Sequence, residues 1–281
     1  MKSLMVQGTT SGAGKTTLVA ALCRIFSDKG YSVAPFKSQN MSNFGYSTPD
    51  FEISRAQAIQ AIAARCQITP DLNPIMLKPL GNYYSMVYLN GKRYKKMYAK
   101  DYYEKFVKSK GIKAAINSLS RLKKNYDLVI LEGAGSPAEI NLQKYDIANM
   151  QIAQKANASV LLVTDIDKGG SFASLVGTMA LIEKKYHKLV KGFVFNKFRG
   201  DIDVLKPGFK KLKQITKIPI LGTIPMMKIN LPEEDSLNGN PKEIVWTKNN
   251  ISKIDKELDS LVKTVKLNLD LKTIERMIKW F

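Results

Sequence analysis

The sequence predicts an α/β protein built on a doubly wound, mostly parallel sheet with helices on both faces. Three observations carry this. Short apolar runs recur along the chain, at Leu4-Met5-Val6, Leu128–Leu131, Val160–Val163 and Phe193–Phe195, as strands buried on both faces require. Helical patterns lie between them, so strand and helix alternate from Ser3 to Ser236. The first run ends in small residues and Gly14-Lys15-Thr16, and then Leu18, Val19, Leu22, Ile25 and Phe26 follow at helical spacing.

Strand, glycine-rich loop and helix in that order form a P-loop. Backbone N–H groups and the positive helix end face a polyphosphate, Lys15 reaches its outer oxygens, and the Thr16 hydroxyl is placed to hold Mg2+. Gly12, Ala13, Gly14, Lys15, Thr16 and Thr17 are therefore the nucleotide-binding residues. The residues Thr9 to Ala13 separate Gly8 from Gly14, one more than the usual motif allows, so Thr9 stands where the first glycine is expected.

The 281 residues suffice for one large core, with 44% hydrophobic content. No run of about eighteen apolar residues occurs and no charged and apolar leader precedes the first strand, so a cytoplasmic location is expected, with no membrane partner. The net charge of +20 comes from lysines spread over the whole chain. That pattern fits solvated helix faces and attraction of anionic ligands, and no nucleic-acid partner is expected. Cys23 and Cys66 lack metal-ligand spacing and read as core filler.

The second strand, Tyr31–Phe36, delivers Lys37-Ser38-Gln39-Asn40-Met41 at its C-terminal end, where open α/β sheets bind ligands. Lys37 is a candidate second phosphate clamp, with Ser38, Gln39 and Asn40 as hydrogen-bonding partners. An alanine-rich helix from Glu52 carries Arg55 and Gln57 near its start, and Met76–Pro79 reads as a short strand holding Lys78. Alternation around Asn90-Gly91 predicts a β-hairpin over Tyr83–Tyr98, placed as an insertion near the sheet edge. One long helix is expected over Asp101–Lys124.

Glu132 emerges from the end of a buried strand, where a carboxylate is costly without a cationic partner, so it is assigned to Mg2+ with Thr16. Beyond it, Asp146 opens a helix, and Asp165 and Asp167 follow the next strand as candidates to face phosphate, metal or substrate. Asn196-Lys197 after the strand Val190–Phe195 is similar to a base-recognition element. Arg199 stands where the guanine-reading version has an aspartate, which favours ATP. The composition shifts at Asn238–Pro241, and Ile251, Ile254, Leu258, Leu261 and Val265 then fall at helical spacing. Residues 238–281 are thus expected to be a linker and amphipathic helices that pack on the domain or on a partner.

Together these strings match a family. Gly14-Lys15-Thr16, Pro35–Met41, Arg55–Ala58, Leu77-Lys78-Pro79, Glu132–Leu142, Asp165–Gly170, Asn196–Asp201 and Leu231–Ser236 closely resemble the synthetase domain of cobyric acid synthase. The P-loop spacing also resembles dethiobiotin synthetase, a more distant relative in which a lysine after the second strand clamps phosphate. The resemblance implies an ATP-binding amidoligase domain over residues 1–237 that amidates peripheral carboxylates of a corrinoid, adenosylcobyrinic acid a,c-diamide, through acyl phosphates. On that reading Lys15, Lys37, Glu132 and Asp146 are catalytic, Asp146 orienting the corrinoid side chain or ammonia. Ser38, Gln39, Asn40, Arg55, Gln57, Lys78, Asn141, Asp165 and Asp167 bind substrate.

The family's glutaminase domain, with its cysteine nucleophile and histidine, is not expected here. His187 sits among lysines and neither cysteine lies in a strand-to-helix elbow. Ammonia from a separate glutaminase subunit, free ammonia and an incomplete copy stay open, as does a homo-oligomer. A rival reading is a partition or septum-positioning ATPase whose C-terminal helices bind membrane or a partner. Its signature lysine would occupy position 10, which holds Thr10. A dethiobiotin synthetase-like carboxylase is the other alternative, and Lys37–Met41 and Glu139–Leu142 fit it poorly.

Overall fold

In the computed structural model, which describes residues 2–232 and 245–279, the chain opens with β1 (Lys2–Gly8), the P-loop and α1 (Lys15–Asp28). β2 (Val33–Phe36), β3 (Gln39–Met41), β4 (Gly45–Ser47) and β5 (Glu52–Ser54) precede α2 (Arg55–Ala64). Next come β6 (Ile75–Gly81), β7 (Tyr84–Leu89) and β8 (Lys92–Tyr98), then α3 (Ala99–Asp101), a π-helical segment (Tyr102–Gly111) and α4 (Ile112–Asn125). The remaining elements are β9 (Leu128–Glu132), α5 (Met150–Ala156), β10 (Ser159–Asp165), α6 (Ser171–Leu181), β11 (Val190–Phe198), α7 (Lys206–Thr216), β12 (Ile220–Pro225), α8 (Lys248–Asn268) and α9 (Leu271–Lys279).

Six strands form a wholly parallel sheet in the order β12-β11-β10-β1-β9-β2. Successive side chains of a strand point to opposite faces, and this builds two apolar layers. Leu4 and Val6 of β1 and Leu128 and Ile130 of β9 join one layer, under α1, α8 and α9. Met5, Val129 and Leu131 join the other, under α4, α5, α6 and α7. Each such fully buried side chain contributes about 1.5–3 kcal/mol.

The hairpin forms around Asn90-Gly91 as its sequence requires, both residues having positive φ. It is not an insertion at the edge of the main sheet. β7 and β8 continue a separate four-stranded sheet, β3-β6-β7-β8, in which β3 runs parallel to β6. Asn73 starts this second sheet. Its Nδ2 donates to the carbonyls of Lys37 (2.9 Å) and Ile75 (3.0 Å), and its Oδ1 accepts from the Ser54 N–H (3.2 Å). The chain after Lys37 therefore leaves the main sheet to pair with β6.

The stretch expected as one α-helix over Asp101–Lys124 instead holds ten π-helical residues. Tyr102, Phe106, Val107 and Gly111 are its buried positions, at intervals of four and five, which the wider π turn keeps on one face. The helix expected to open at Asp146 begins at Met150.

At the C-terminus α8 and α9 bury Ile254, Leu258, Leu261, Val265, Ile274 and Ile278 against the α1 side of the sheet. Arg24, almost wholly buried in α1, bonds the Ala63 carbonyl (2.9 Å), Asp259 (2.8 Å) and Asp255. The expected linker at Asn238–Pro241 and the string Glu233–Ser236 lie outside the described residues.

The junction of α8 and α9 crosses β12 where a Cβ on Gly222 would sit 2.3 Å from the Asn268 carbonyl oxygen. Gly222→Ala is expected to lower stability by about 1–3 kcal/mol, read as a fall of several degrees in the thermal midpoint followed by circular dichroism. An unchanged midpoint would refute this packing.

Candidate active site

All six parallel strands end at one edge, and the first-expected residues meet there. Gly12 (φ 71°) and Gly14 (φ 94°) take left-handed backbone that lets the loop turn into α1. A Cβ on Gly14 would also come within 2.0 Å of Asn196 Nδ2, so two independent constraints demand glycine. The first turn of α1 contains no acidic residue. The positive helix end is thus kept for an external anion.

Lys15 Nζ donates to the Thr10 (3.0 Å) and Gly135 (3.1 Å) carbonyls, which hold it over the loop. Glu132 is 1% exposed at the end of β9, and its charge is met from three elements. Oε1 accepts from Thr16 Oγ1 (2.8 Å) and pairs with Lys37 Nζ (2.8 Å), and Oε2 accepts from Gln60 Nε2 (2.5 Å). A hydroxyl and a carboxylate converging in this way are the oxygen donors that Mg2+ prefers, so the residues fit the ion that a nucleotide would bring. Thr17 Oγ1 turns instead to the Gly14 carbonyl (3.0 Å).

A cavity of about 370 Å³ adjoins the P-loop. Ser11, Gly135, Gln39, Met41, Tyr103 and Tyr145 are among the residues around it. Ser11 and Gly135 thereby belong both to the phosphate loop's surroundings and to the cavity wall. Tyr103 and Tyr145, with ring centroids 5.9 Å apart, supply an apolar side.

The other expected residues divide. Asn196 Nδ2 donates to the Ala13 carbonyl (2.9 Å), and Lys197 Nζ bonds the Gly12 carbonyl (2.8 Å) and Asp165 (2.7 Å), so both brace the P-loop from β11. Lys197 holds a left-handed φ of 61°, unusual for a lysine and costing on the order of 1 kcal/mol. Asp167 pairs with Arg199 (3.0 Å). Gln39 lines the cavity and accepts from Tyr102 (2.6 Å), while Ser38 donates to the Ile147 carbonyl.

Several residues are engaged elsewhere. Both Asp146 oxygens take backbone N–H groups, from Ala148 (3.0 Å), Asn149 (2.6 Å) and Gln151 (3.0 Å). The carboxylate thereby braces the backbone leading into α5, at the cavity wall. Lys78 pairs with Glu52, and Arg55 is buried over the Phe44 ring (4.3 Å). Asn141 is exposed and outside the cavity lining. Asn40 and Gln57 are buried side by side (3.1 Å).

Gln60 escaped the sequence reading. Its only signal was its place three residues after Gln57 in an apolar helix, where a wholly buried amide needs partners. Among the described residues no group of three or more His, Cys, Asp or Glu side chains gathers as a metal site.

A glycine-rich loop capped by a helix, a lysine inside it and a hydroxyl–carboxylate pair at the sheet's C-terminal edge define a P-loop nucleotide-binding protein. Residues 4–237 match the CobQ/CobB/MinD/ParA nucleotide binding domain, and the chain belongs to that family. A protein of Thermococcus kodakarensis named "Probable cobyric acid synthase" is 54% identical over 242 residues, which are 86% of this chain and 50% of that protein. One with the same name from Methanosphaera stadtmanae is 45% identical over 295 residues, covering 99% of this chain and 59% of its own. The chain thus spans about half the length of the curated relatives it matches. Among solved structures, the MinD cell division protein of Aquifex aeolicus aligns at 15% identity over 81% of this chain and 83% of its own, with a TM-score of 0.44.

Gly14→Ala is expected to weaken binding of a fluorescent ATP analogue at least roughly tenfold while the far-ultraviolet spectrum is kept. Wild-type affinity in that variant would overturn the assigned loop role. Burial pushes the Cys66 thiol up to about 12 and drives Cys23 upward as well. A raised value favours the neutral thiol, so at about pH 8 both cysteines are held protonated. Native protein should react with Ellman's reagent far more slowly than urea-unfolded protein, and a fast native reaction would refute that burial.

Proposed function

We propose that this chain is the ATP-dependent synthetase of a cobyric acid synthase. It amidates peripheral carboxylates of adenosylcobyrinic acid a,c-diamide, towards adenosylcobyric acid in cobalamin biosynthesis. The observation that carries this reading is the shared wall: Gly135, whose carbonyl holds Lys15, also lines the 370 Å³ cavity. An acceptor seated there brings a carboxylate against the terminal phosphate of a nucleotide on the P-loop. The names of the half-identical relatives support the same substrate.

The chemistry suits the residues. A carboxylate oxygen of the acceptor attacks the γ-phosphorus of ATP, the bond to the β,γ-bridging oxygen breaks, and ADP leaves. Ammonia then adds to the acyl phosphate carbon and expels inorganic phosphate, leaving the amide and a released proton. Lys15 and Lys37 offset the charge of the phosphoryl oxygens, and the loop N–H groups orient them. Thr16 and Glu132 would hold Mg2+, which when bound neutralises phosphate charge. Tyr103, Tyr145 and Met41 offer an apolar side to a macrocycle, whose bulk suits an open cavity.

Ammonia reaches the site from outside these residues, since Cys23 is buried, Cys66 is half-buried and burial holds both thiols protonated. The partition-ATPase alternative, in which the C-terminal helices bind membrane, is disfavoured. Those helices spend their apolar residues on this chain's own core, and among the described residues no helix is long and apolar enough to cross a membrane.

The test is incubation of the purified chain with Mg-ATP, the corrinoid diamide and either ammonium or glutamine, followed by mass spectrometry. Amidated product and phosphate release are expected with ammonium only. Lys37→Met should lower the rate by roughly 100-fold or more. Failure to release phosphate in response to the corrinoid would sink the assignment.

A further inference from the structure

We propose that Gln60 is a positioning residue for Glu132, and that Gln57 and Asn40 extend it into a relay of amides reaching the strand that borders the acceptor cavity. Gln60 is wholly buried in α2, against the carboxylate of one expected metal ligand and the backbone of the other. Its Nε2 donates to Glu132 Oε2 (2.5 Å) and to the Thr16 carbonyl (3.3 Å). Its Oε1 accepts from Gln57 Nε2 (3.3 Å), and Gln57 Oε1 accepts from Asn40 Nδ2 (3.1 Å). Asn40 also donates to Ser54 Oγ (2.6 Å), the N-cap of α2.

Along the relay each amide donates to the next in one direction, from Asn40 to Gln57 to Gln60 to the carboxylate. Aligned dipoles of this kind strengthen the last bond and hold Glu132 in a single orientation. With Oε2 restrained by Gln60, Oε1 is the oxygen that faces Thr16 and Lys37. The far end matters as much. Asn40 lies in β3 between Gln39 and Met41, both of which line the cavity. A shift of β3 on filling the cavity reaches Glu132 through three buried hydrogen bonds, so acceptor and metal–nucleotide binding are coupled, each favouring the other by the same factor.

This rests on the nucleotide–metal reading of Glu132 and Thr16, and the experiment separates the two. Affinity for a fluorescent ATP analogue is measured by anisotropy against Mg2+ concentration, for wild type, Gln60→Met and Gln57→Met, with thermal melts alongside. Gln60→Met keeps length and apolar volume and removes the amide. It is expected to raise the Mg2+ midpoint roughly tenfold while affinity in EDTA stays within about twofold of wild type. Gln57→Met should move the midpoint the same way by a smaller factor. A structural role alone would lower the melting point and leave the Mg2+ midpoint where it is, and that result overturns the proposal. If Gln60→Met does not fold, an unmoved midpoint in Gln57→Met overturns it equally. Wild-type affinity that ignores Mg2+ overturns the underlying metal reading, and the relay with it.

Discussion

The structure depends on a buried carboxylate that must be neutralised. Glu132 emerges from β9 with 1% of its surface exposed, where an unpaired charge would cost several kcal/mol. Lys37 from the end of β2, Thr16 from the P-loop helix and Gln60 from α2 each meet it. Four elements distant in sequence are therefore locked to one atom group. The same arrangement brings the Thr16 hydroxyl and the Lys37 ammonium, the proposed metal and phosphate ligands, to one carboxylate oxygen.

The parallel sheet makes this convergence available. With every strand of the main sheet running the same way, every C-terminal end faces one edge, and whatever follows each strand is delivered there. β1 delivers the P-loop, β2 delivers Lys37, β9 delivers Glu132 and Gly135, and β10 and β11 deliver Asp165, Asn196 and Lys197. Asn196 and Lys197 brace the loop from behind through Ala13 and Gly12, and Asp165 holds Lys197. The second sheet then closes the other side of the cavity with Gln39 and Met41 of β3, next to the tyrosines of the π segment and its neighbours.

The family follows from this arrangement and from the match over residues 4–237, whereas the corrinoid reaction is a proposal resting on the cavity beside the phosphate loop and on its relatives' names. The C-terminal helices bear on that choice. Their apolar stripe was legible as an amphipathic pattern, yet only the fold reveals that Ile254, Leu258 and Ile274 are spent on this chain's own core, on the α1 side of the sheet. Buried Arg24 explains part of that docking, since its guanidinium reaches Asp255 and Asp259 of α8 from within the core.

Local patterns in the sequence were enough for the P-loop, the buried strands, the hairpin turn at Asn90-Gly91 and the placement of Lys37 and Glu132 at strand ends, because each is set by residues adjacent in the chain. What adjacency does not encode had to wait for the tertiary structure. The hairpin's membership of a second sheet depends on the Asn73 clamp. Asp146 spends its oxygens on the backbone before α5. Gln60 matters through Glu132, seventy-two residues away. A side chain's partner across the sheet edge is chosen by packing, and a single sequence carries no record of that distance; the chain determined which groups reach the edge, and only folding decided which of them touch.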